Sequence, residues 1–404
     1  MVFQPGLEEK LRTHFAQKDK VQFYEGCEVT KISSDKEGAE LLATSGDDII
    51  QIRSKYIIGC DGRKSLMRKW MNVSLDNLKF DQSWMVVDSF LKQETDTKLL
   101  PSLHQQICAP KRPTTYVPGV GLHRRFEFML VDGDTAEGIS EPSSINRLIA
   151  AHIDPEKLNI ARNAVYTFHE LIAKTWRKDR FFLSGDRAHQ MPPFAGQGMC
   201  SGIRDAHNLV FKLSMVIKGT ADATLLDTYE LERKPHVTAM SKGAIHIGKM
   251  IQTNNRLVMM LRNFQFRLAR NSQFIHDKLR DSSLKKLPYK KGLLANNHKL
   301  SSRLSIQPLV QVNGESLLLD ELLGNQFALI SKVTIDNKPW QEWMETFNCK
   351  TLVIGQDFNS AHYSEWMLNH KVDFVIVRPD RYIYSAGKSK DVTNIIPLLR
   401  PLNN

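Results

Sequence analysis

The sequence lacks the features of a membrane or secreted protein. No stretch reaches the roughly 18 to 20 consecutive apolar residues that a membrane-spanning helix needs, and the first ten residues, MVFQPGLEEK, contain no apolar core of a signal peptide. The five cysteines form no C-x-x-C pair and have no metal-ligand spacing with histidine. We therefore expect a cytoplasmic protein with reduced thiols, no metal site and no membrane partner.

A concentrated basic element is also missing. The net charge is +11, but the lysines and arginines are dispersed along the chain. The densest cluster, KKLPYKK at residues 285–291, contains a proline within a polar stretch, which is more typical of a solvated linker than of a nucleic-acid site. We expect no nucleic-acid partner. The apolar content of 42% in 404 residues instead indicates two or three globular domains.

Hydrophobic periodicity predicts alternating strand-rich and helical segments. A helix begins near Pro5, strands follow at 21–24, 28–33, 40–44 and 49–59, and a short helix lies at 65–71. Residues 80–130 are strand-rich, as in an antiparallel sheet. A strand at 181–184, a loop at 185–202 and a helix to about residue 218 come next. A long helix at 226–270 is predicted to kink at Pro235.

Two further patterns concern the helix near residue 210 and the C-terminal part. One face of that helix carries the side chains expected of an amphipathic helix: Ile203, His207, Val210, Leu213 and Ile217. Residues 271–305 are polar and basic. Strand and helix patterns then resume at 327–333, 340–347, 351–354 and 374–378, which predicts a small α/β domain without a redox cysteine pair.

The strongest motif is GDRAHQMPPFAGQGMCSGIRDAHNL at residues 185–209. Asp186 follows a strand, where a carboxylate can accept hydrogen bonds from ribityl hydroxyls. The loop at 192–198 combines stiff prolines with glycines that allow a flat ligand to approach the backbone. Free N–H groups at the helix start, 198–202, can stabilise negative charge on a flavin or a phosphate. A ligand-free glycine-rich turn is the alternative, which the length of the motif disfavours.

This motif resembles the second flavin-binding signature of the class A aromatic hydroxylases, the family of para-hydroxybenzoate and phenol hydroxylases. The family's Gly-Asp, Ala-His, Pro-Pro, Gly-Gln-Gly and Asp-Ala-x-Asn-Leu elements stand at 185–186, 188–189, 192–193, 196–198 and 205–209. The resemblance implies an FAD site, with Pro193 and Gly196 lining the ring where oxygen reacts. The implied cofactor-binding residues here are Gly185, Asp186, Pro193, Gly196, Gln197, Gly198, Met199 and Cys200. Many members carry an asparagine near Cys200, so the contacts to the pyrimidine edge stay open.

A second motif, GCDGRKSLMR at 59–68, is similar to the family's Asp-Gly motif, which is associated with flavin and reduced nicotinamide. Asp61 and Gly62 form a tight turn, Ser65 can cap the next helix, and Arg68 adds positive charge near phosphates. Gln4 matches a family position where glutamine touches the flavin; an ordinary helix-start residue is the alternative.

Other segments extend the resemblance to 3-(3-hydroxyphenyl)propionate hydroxylases. Residues 84–91, 108–119 and 124–130 look like their substrate-domain strands, and 377–387 like the end of their thioredoxin-like domain. Arg124 and Arg125 are candidates for pairing a substrate carboxylate, with surface strand residues as the alternative. His189 and His207 are candidate proton carriers, although such histidines more often form local hydrogen bonds.

The resemblance implies an α/β fold with an incomplete FAD-binding domain of the glutathione-reductase-like Rossmann type, an inserted antiparallel substrate sheet, and a C-terminal thioredoxin-like α/β domain. The expected divisions are 1–79 and 181–270 for the FAD-binding domain, 80–180 for the substrate sheet, 271–310 for a linker and 311–404 for the thioredoxin-like domain. Full-length members begin with a βαβ unit carrying G-x-G-x-x-G, which is absent here; GVGLHR at 119–124 lacks the third glycine.

The implied function is an FAD-dependent monooxygenase that consumes NADH or NADPH and molecular oxygen. Its expected substrate is a phenolic acid such as 3-(3-hydroxyphenyl)propionate. The alternative is a truncated, non-catalytic remnant, or one half of a split hydroxylase that cannot retain FAD alone. Expected partners are the aromatic acid, and either a second copy in a homodimer or a separate N-terminal fragment.

Overall fold

The computed structural model describes residues 4–62, 65–270, 272, 287–295, 297–335 and 338–394. Arg63 and Lys64 of the second motif, and much of the predicted linker at 271–310, lie outside the described residues. In the described ranges, no helix is both long and apolar enough to cross a membrane, and no three histidine, cysteine or acidic side chains cluster as a metal site would require.

The helices and strands are numbered along the chain. The helices are α1 (Gln4–Ala16), α2 (Leu66–Trp70), α3 (Ala136–Ser140), α4 (Pro142–Ile149), α5 (Gly198–Ile217), α6 (Asp227–Gln252), α7 (Arg256–Arg270), α8 (Leu319–Leu323), α9 (Lys338–Phe347) and α10 (Ala361–Asn369). The first strands are β1 (Glu28–Ser34), β2 (Ala39–Ser45), β3 (Asp48–Ser54), β4 (Ile57–Gly59), β5 (Leu75–Leu91), β6 (Gln105–Ile107), β7 (Thr114–Pro118), β8 (His123–Met129) and β9 (Leu158–Ala173). The remaining strands are β10 (Arg177–Lys178), β11 (Phe181–Leu183), β12 (His189–Gln190), β13 (Leu309–Val312), β14 (Glu315–Leu318), β15 (Ala328–Ser331), β16 (Lys350–Val353), β17 (Phe374–Val377) and β18 (Ile383–Gly387).

The largest sheet is antiparallel, with the strand order β12-β9-β5-β8-β7-β6. Because side chains alternate across a strand, its two faces differ in chemistry. One face contributes apolar side chains to a core shared with α3 and α4, among them Met85, Val87, Phe126, Phe128, Ile139, Ile145 and Ile149. The opposite face carries Trp84, Asp88, Arg125 and Glu127 and borders a cavity. The alternation therefore separates the structural face of the sheet from its open face.

A short parallel pair brings the two sequence motifs together. Strand β11 runs parallel to β4, with Leu183 opposite Gly59. The buried residues Trp176, Phe182 and Leu183 anchor this pair in a common core with α5 and α6. Since parallel strands end at the same edge, the loops that follow β4 and β11 leave side by side.

The C-terminal part contains a sheet with the order β16-β15-β17-β18. Strand β15 runs parallel to β16 and antiparallel to β17, and β17 runs antiparallel to β18. This is the strand arrangement of a thioredoxin-like domain, and it confirms the α/β fold with a C-terminal thioredoxin-like domain. Its core includes Val310, Leu352, Met367 and Val375.

Three predicted elements are wrong in detail. Residues 21–24 pair with no described strand, and their side chains Val21, Phe23 and Tyr24 are exposed. The predicted strand at 49–59 is divided between β3 and β4. The helix predicted at 226–270 is two helices, and the break lies at 253–255 rather than at Pro235, which stays inside α6. The Asn255 side chain accepts hydrogen bonds from the first amides of α7, which favours a new helix start there.

The predicted apolar face of α5 is also largely wrong, since only Leu213 of its five residues is buried. Ile203, Val210 and Ile217 are each about half exposed, whereas the buried face includes Asp205 and Lys212. The polar face is buried because α6 and the C-terminal domain supply partners of opposite charge for it.

Glu232 of α6 is the centre of the contact with the C-terminal domain. Its carboxylate accepts hydrogen bonds from Arg378 Nη1 and Nη2 at 2.9 and 2.7 Å, and from Lys212 Nζ at 2.8 Å. The Asn208 amide donates to both Glu232 and Asp380. All these side chains are buried. Burial opposes ionisation, but Arg378 and Lys212 lower the pKa of Glu232 to about 2.

Replacing Arg378 by methionine tests this contact. The change leaves Glu232 and Asp380 buried without their guanidinium partner, so we expect the free energy of unfolding to fall by about 3–5 kcal/mol. Denaturant-induced unfolding of the whole chain provides the measurement. Arg303→Met, at an exposed position of the same domain, is the control and should change stability by less than about 0.5 kcal/mol. Equal effects of the two changes would contradict the assignment.

Glu170 of β9 makes the stability of the fold depend on pH. Its side chain is fully buried without an ion-pair partner in the described part of the chain. Burial raises its pKa from about 4.5 to about 7, and the Ser241 hydroxyl offsets only part of the shift. Because the folded pKa exceeds the unfolded one, proton binding favours the folded state. Stability is therefore lost as the pH rises from about 4.5 to about 7.

Glu170→Gln should remove this pH dependence. At pH 8 the variant should be more stable than the wild type by about 2–3 kcal/mol, and the difference should vanish near pH 4.5. Unfolding free energies measured across this range give the result. A variant that is equally destabilised at every pH would instead indicate that the carboxyl group serves packing alone.

Candidate active site

The two sequence motifs meet through a salt bridge. The fully buried side chain of Arg187 places Nε 2.5 Å from Asp61 Oδ1, and Arg68 Nη1 donates to the Arg187 carbonyl oxygen at 3.5 Å. Asp61, Arg68 and the turn Gly185–Arg187 therefore form one cluster beside the ends of β4 and β11. Sequence reasoning missed Arg187, although it lies inside the motif.

Asp61 also organises the start of α2. Its Oδ2 accepts hydrogen bonds from the Leu66 and Met67 amides at 3.0 and 3.3 Å. The predicted cap at Ser65 is confirmed, since its Oγ accepts a hydrogen bond from the Arg68 amide at 2.6 Å. Gly62 adopts a left-handed conformation with φ of +66°, as a tight turn requires. The Asp61 carboxylate is thus held in a fixed position.

The loop after β11 packs closely against the start of α5. A Cβ atom on Gly202 would lie 3.4 Å from the Gly185 Cα atom, so the motif needs small residues at this crossing. Gly196 closes the turn Pro193–Ala195 in the left-handed conformation, with φ of +58°. The Asp186 side chain is exposed and makes no hydrogen bond to the described residues.

The N-terminus of α5 is suited to an electron-rich ligand edge. The helix begins at Gly198, and the preceding residue, Gln197, makes no side-chain capping hydrogen bond. Met199 is about half exposed and Cys200 is half-buried. The amides of the first turn can therefore donate to a bound group, and the helix dipole favours negative charge there. These features fit the pyrimidine side of a flavin, whose isoalloxazine ring is flat.

The buried side chain of Asp205 fixes the start of the loop after β11. Its carboxylate accepts a hydrogen bond from the Gly185 amide at 3.2 Å, and it lies 2.6 Å from His189 Nε2 and 2.8 Å from Arg233 Nε. Burial alone would raise the pKa of Asp205, but Arg233 and His189 lower it below the ordinary value. The polar spacing of Asp205, Asn208 and Lys212 was the available sequence signal for this buried face.

The two candidate proton carriers lie in different surroundings. His189 is fully buried between Asp205 and the Trp176 ring, whose centroid is 5.4 Å from its own. His207 is exposed on α5. Neither histidine lines the cavity that contains Pro193 and Gly196. The contact of His189 with Asp205 corresponds to the alternative of local hydrogen bonding.

A cavity of about 880 Å³ lies between the loop after β11 and the open face of the large sheet. Pro193 and Gly196 line one side, and Gln4 of α1 lines another. The Phe194 ring packs edge-on against Phe80 and Trp84, at centroid distances of 5.7 and 5.9 Å. The structure thus brings Gln4, Pro193 and Gly196 to one cavity. Asp61, Gly62, Arg68, Gly185, Asp186, Gln197, Gly198, Met199 and Cys200 lie outside its lining, on the loops and helix start beside it.

The open face of the sheet gives this cavity a charged floor. Arg125 donates to both carboxylate oxygens of Asp88 at 2.8 and 3.0 Å, and His123 Nε2 lies 3.0 Å from Asp88. Burial favours a high pKa for Asp88, but Arg125 and His123 lower it. Arg125 is therefore already paired, and Arg124 is buried on the opposite face, where it donates to backbone carbonyls.

Arg162 is the cation that sequence reasoning missed. It lines the same cavity from β9, its side chain is exposed, and its guanidinium contacts the Tyr166 hydroxyl. No ion pair joins it to a carboxylate in the described ranges.

Comparison with known families identifies both parts of the chain. A model of the FAD-binding domain matches residues 1–244, and a model of the HcaD C-terminal domain matches residues 302–400. The first match covers more than half of the chain and contains both sequence motifs.

Individual relatives agree with these matches. The whole chain is 31% identical to a protein of Rhodococcus jostii described as "Probable NADH-specific resorcinol 4-hydroxylase" and spans 76% of it. It is 31% identical, over 93% of its length, to a 3-(3-hydroxy-phenyl)propionate/3-hydroxycinnamic acid hydroxylase of Mycolicibacterium smegmatis, of which it spans 67%.

Solved structures show the same fold. Aklavinone-11 hydroxylase, solved with FAD and aklavinone, superposes with a TM-score of 0.77 at 17% identity, covering 98% of this chain and 77% of that one. The anhydrotetracycline hydroxylase OxyS of Streptomyces rimosus gives a TM-score of 0.76 at 20% identity, with coverages of 98% and 79%.

Gly248 of α6 provides a test of the loop's position. An added Cβ would lie 2.6 Å from two ring atoms of Phe194, so Gly248→Ala must displace this ring and the neighbouring Pro193. Overpacking of this kind costs about 1–3 kcal/mol. We expect FAD affinity, measured by quenching of flavin fluorescence, to fall severalfold or more. Lys249→Ala, exposed on the same helix, should leave it unchanged. Normal affinity in the Gly248 variant would show that the loop does not depend on Phe194.

Proposed function

The chain belongs to the FAD-dependent aromatic hydroxylases, and from this membership we propose that it hydroxylates a phenolic acid such as 3-(3-hydroxyphenyl)propionate, using NADH or NADPH. The single observation that carries the proposal is the cavity between the loop of Pro193 and Gly196 and the polar face of the large sheet. A cavity of about 880 Å³ is of the size that holds a small aromatic molecule beside a flavin ring.

The two ends of such a substrate have complementary surroundings. Phe194 offers aromatic surface beside the loop, and the buried Trp84 ring packs against it. The Arg162 guanidinium, exposed and without an ion pair in the described part of the chain, supports binding of the carboxylate. Charge-assisted hydrogen bonds from arginine to a carboxylate are among the stronger polar contacts in proteins.

We assign the cofactor's surroundings to the two motif loops. When bound, FAD supplies the redox chemistry: it takes a hydride from the nicotinamide and activates oxygen, one atom of which enters the ring. Asp186 is proposed to hold the ribityl hydroxyls, and Asp61 and Arg68 the region nearer the phosphates. The amides of Gly198, Met199 and Cys200 stabilise negative charge on the pyrimidine edge, with Gln197 beside them.

The remaining assigned residues shape the reacting space. The backbone of Pro193 and Gly196 lines the cavity and would face the flavin ring where oxygen reacts, and Gln4 lines the same space from α1. The Phe194 ring, packed against Phe80 and Trp84, gives this part of the cavity an apolar wall. Positioning and exclusion of water are the protein's contribution to this reaction.

Resorcinol is a second candidate substrate. Arg125, at the cavity floor, is neutralised by a bidentate pair with Asp88, which disfavours a carboxylate deep in the cavity. A ring with only hydroxyl substituents would suit this part of the floor. The name of the Rhodococcus relative motivates its inclusion in the test.

The experiment begins with the purified chain incubated with excess FAD. We expect a flavin spectrum that persists after gel filtration, and oxidation of NADH or NADPH that yields a hydroxylated product by mass spectrometry. Arg162→Ala should raise KM for 3-(3-hydroxyphenyl)propionate roughly tenfold or more, since it removes a charged hydrogen bond, with little change for resorcinol. Arg147→Ala, exposed on α4, is the control. A chain that retains no flavin and oxidises no nicotinamide would instead support a non-catalytic role.

A further inference from the structure

Glu127 occupies the centre of the cavity floor. It lies on β8 opposite Val86 of β5 and Thr115 of β7, and its side chain lines the cavity. On β5, Val86 is two residues from Trp84, which packs against Phe194, and two residues from Asp88 in the other direction. Glu127 therefore lies between the aromatic end and the charged end of the cavity.

The polar neighbours of Glu127 are occupied elsewhere. Arg125 and His123 bind Asp88, and the Thr115 hydroxyl donates to Gln106 Oε1 at 2.9 Å. Within the described residues, the Glu127 carboxyl group accepts no hydrogen bond. Its acceptor capacity is thus available to a molecule in the cavity, although the side chain is half-buried.

The electrostatic surroundings indicate what kind of donor fits. Burial raises the pKa of Glu127, Arg125 opposes the rise and Asp88 adds to it. A cationic ligand group would lose its hydration at this half-buried position, and the neutral Asp88–Arg125 pair beside it would not offset that loss. A neutral O–H donor carries no such penalty, and it satisfies a carboxyl group that burial has partly removed from water.

We propose that Glu127 is a specificity-determining residue that accepts a hydrogen bond from a ring hydroxyl of the substrate. The inference rests on the proposed function, because it assumes that an aromatic substrate occupies this cavity. A ring without a hydroxyl group would leave the Glu127 carboxyl desolvated and without a donor, so such a ring is rejected. The same contact draws electron density into the ring at carbons ortho and para to the hydroxyl, which favours addition of an electrophilic oxygen there.

The test compares 3-(3-hydroxyphenyl)propionate with 3-phenylpropionate, which differ only in the ring hydroxyl. Dissociation constants come from perturbation of the flavin spectrum in the FAD-loaded chain. The wild type should bind the hydroxylated acid at least tenfold more tightly than its analogue. Glu127→Leu should abolish this preference: the hydroxylated acid loses its acceptor and binds more weakly, and 3-phenylpropionate binds more tightly because it no longer desolvates a carboxyl group. Glu94→Gln, at an exposed turn, is the matched control for Glu127→Gln.

Proton uptake or release provides a readout that packing alone would not change. A hydroxyl donor favours the charged carboxylate, so in a pH series that spans the titration of the carboxyl group, binding of the phenolic acid should release protons from the wild type in weakly buffered solution. Glu127→Gln keeps the shape and an acceptor oxygen but cannot titrate. It should retain part of the preference and release no proton, with 3-phenylpropionate as the reference ligand. These results, in a variant that retains FAD, would support the inference.

The outcomes separate the two proposals. If the wild type binds neither acid, the proposed function fails and this inference fails with it. If the wild type binds and hydroxylates the phenolic acid, but Glu127→Leu and Glu127→Gln keep the full preference for the ring hydroxyl, only the role of Glu127 is overturned. Unchanged proton release in Glu127→Gln would likewise overturn it.

Discussion

Two consecutive buried charged residues of α6, Glu232 and Arg233, link this helix to the C-terminal domain and to the loop after β11. Glu232 forms an ion pair with Arg378 of the C-terminal domain. Arg233 forms an ion pair with Asp205, whose carboxylate also accepts a hydrogen bond from the Gly185 amide. Consecutive residues on a helix point about 100° apart, so one turn of α6 reaches two neighbours at once. The same segment therefore fastens the C-terminal domain and fixes the loop that we assign to the flavin.

Charged residues can occupy this interior because each one is paired. Removing ions from water is costly, and only opposite charges with good hydrogen-bond geometry offset that cost. The arrangement also explains the exposed apolar stripe of α5. The polar face of this helix contacts α6 and the C-terminal domain. Ile203, Val210 and Ile217 lie on the other side of the helix and are exposed to solvent. An apolar stripe indicates the buried face only when apolar neighbours are available to cover it.

The two faces of the large sheet have different roles: one packs in an apolar core, and the other lines the candidate active-site cavity. One face is closed by α3 and α4 in an apolar core, and the other remains open with paired and unpaired charges beside the loop of Pro193 and Gly196. Asp88 and Arg125 neutralise each other, whereas Glu127 and Arg162, which line the same cavity, form no ion pair among the described residues. This difference gives the cavity two separate polar contacts, at its floor and at β9.

The sequence by itself determined the motif at 185–209, the cap at Ser65 and the α/β alternation, because short-range patterns encode turns, caps and strand periods. The thioredoxin-like form of the C-terminal domain followed from the family resemblance. It did not determine which face of α5 is buried, nor that Arg125 is paired and Arg162 is not. Glu232 and Arg378 are 146 residues apart, and a pairing over that separation follows from how the domains pack rather than from any local pattern. The tertiary structure decided these contacts because burial makes each charge depend on a distant partner.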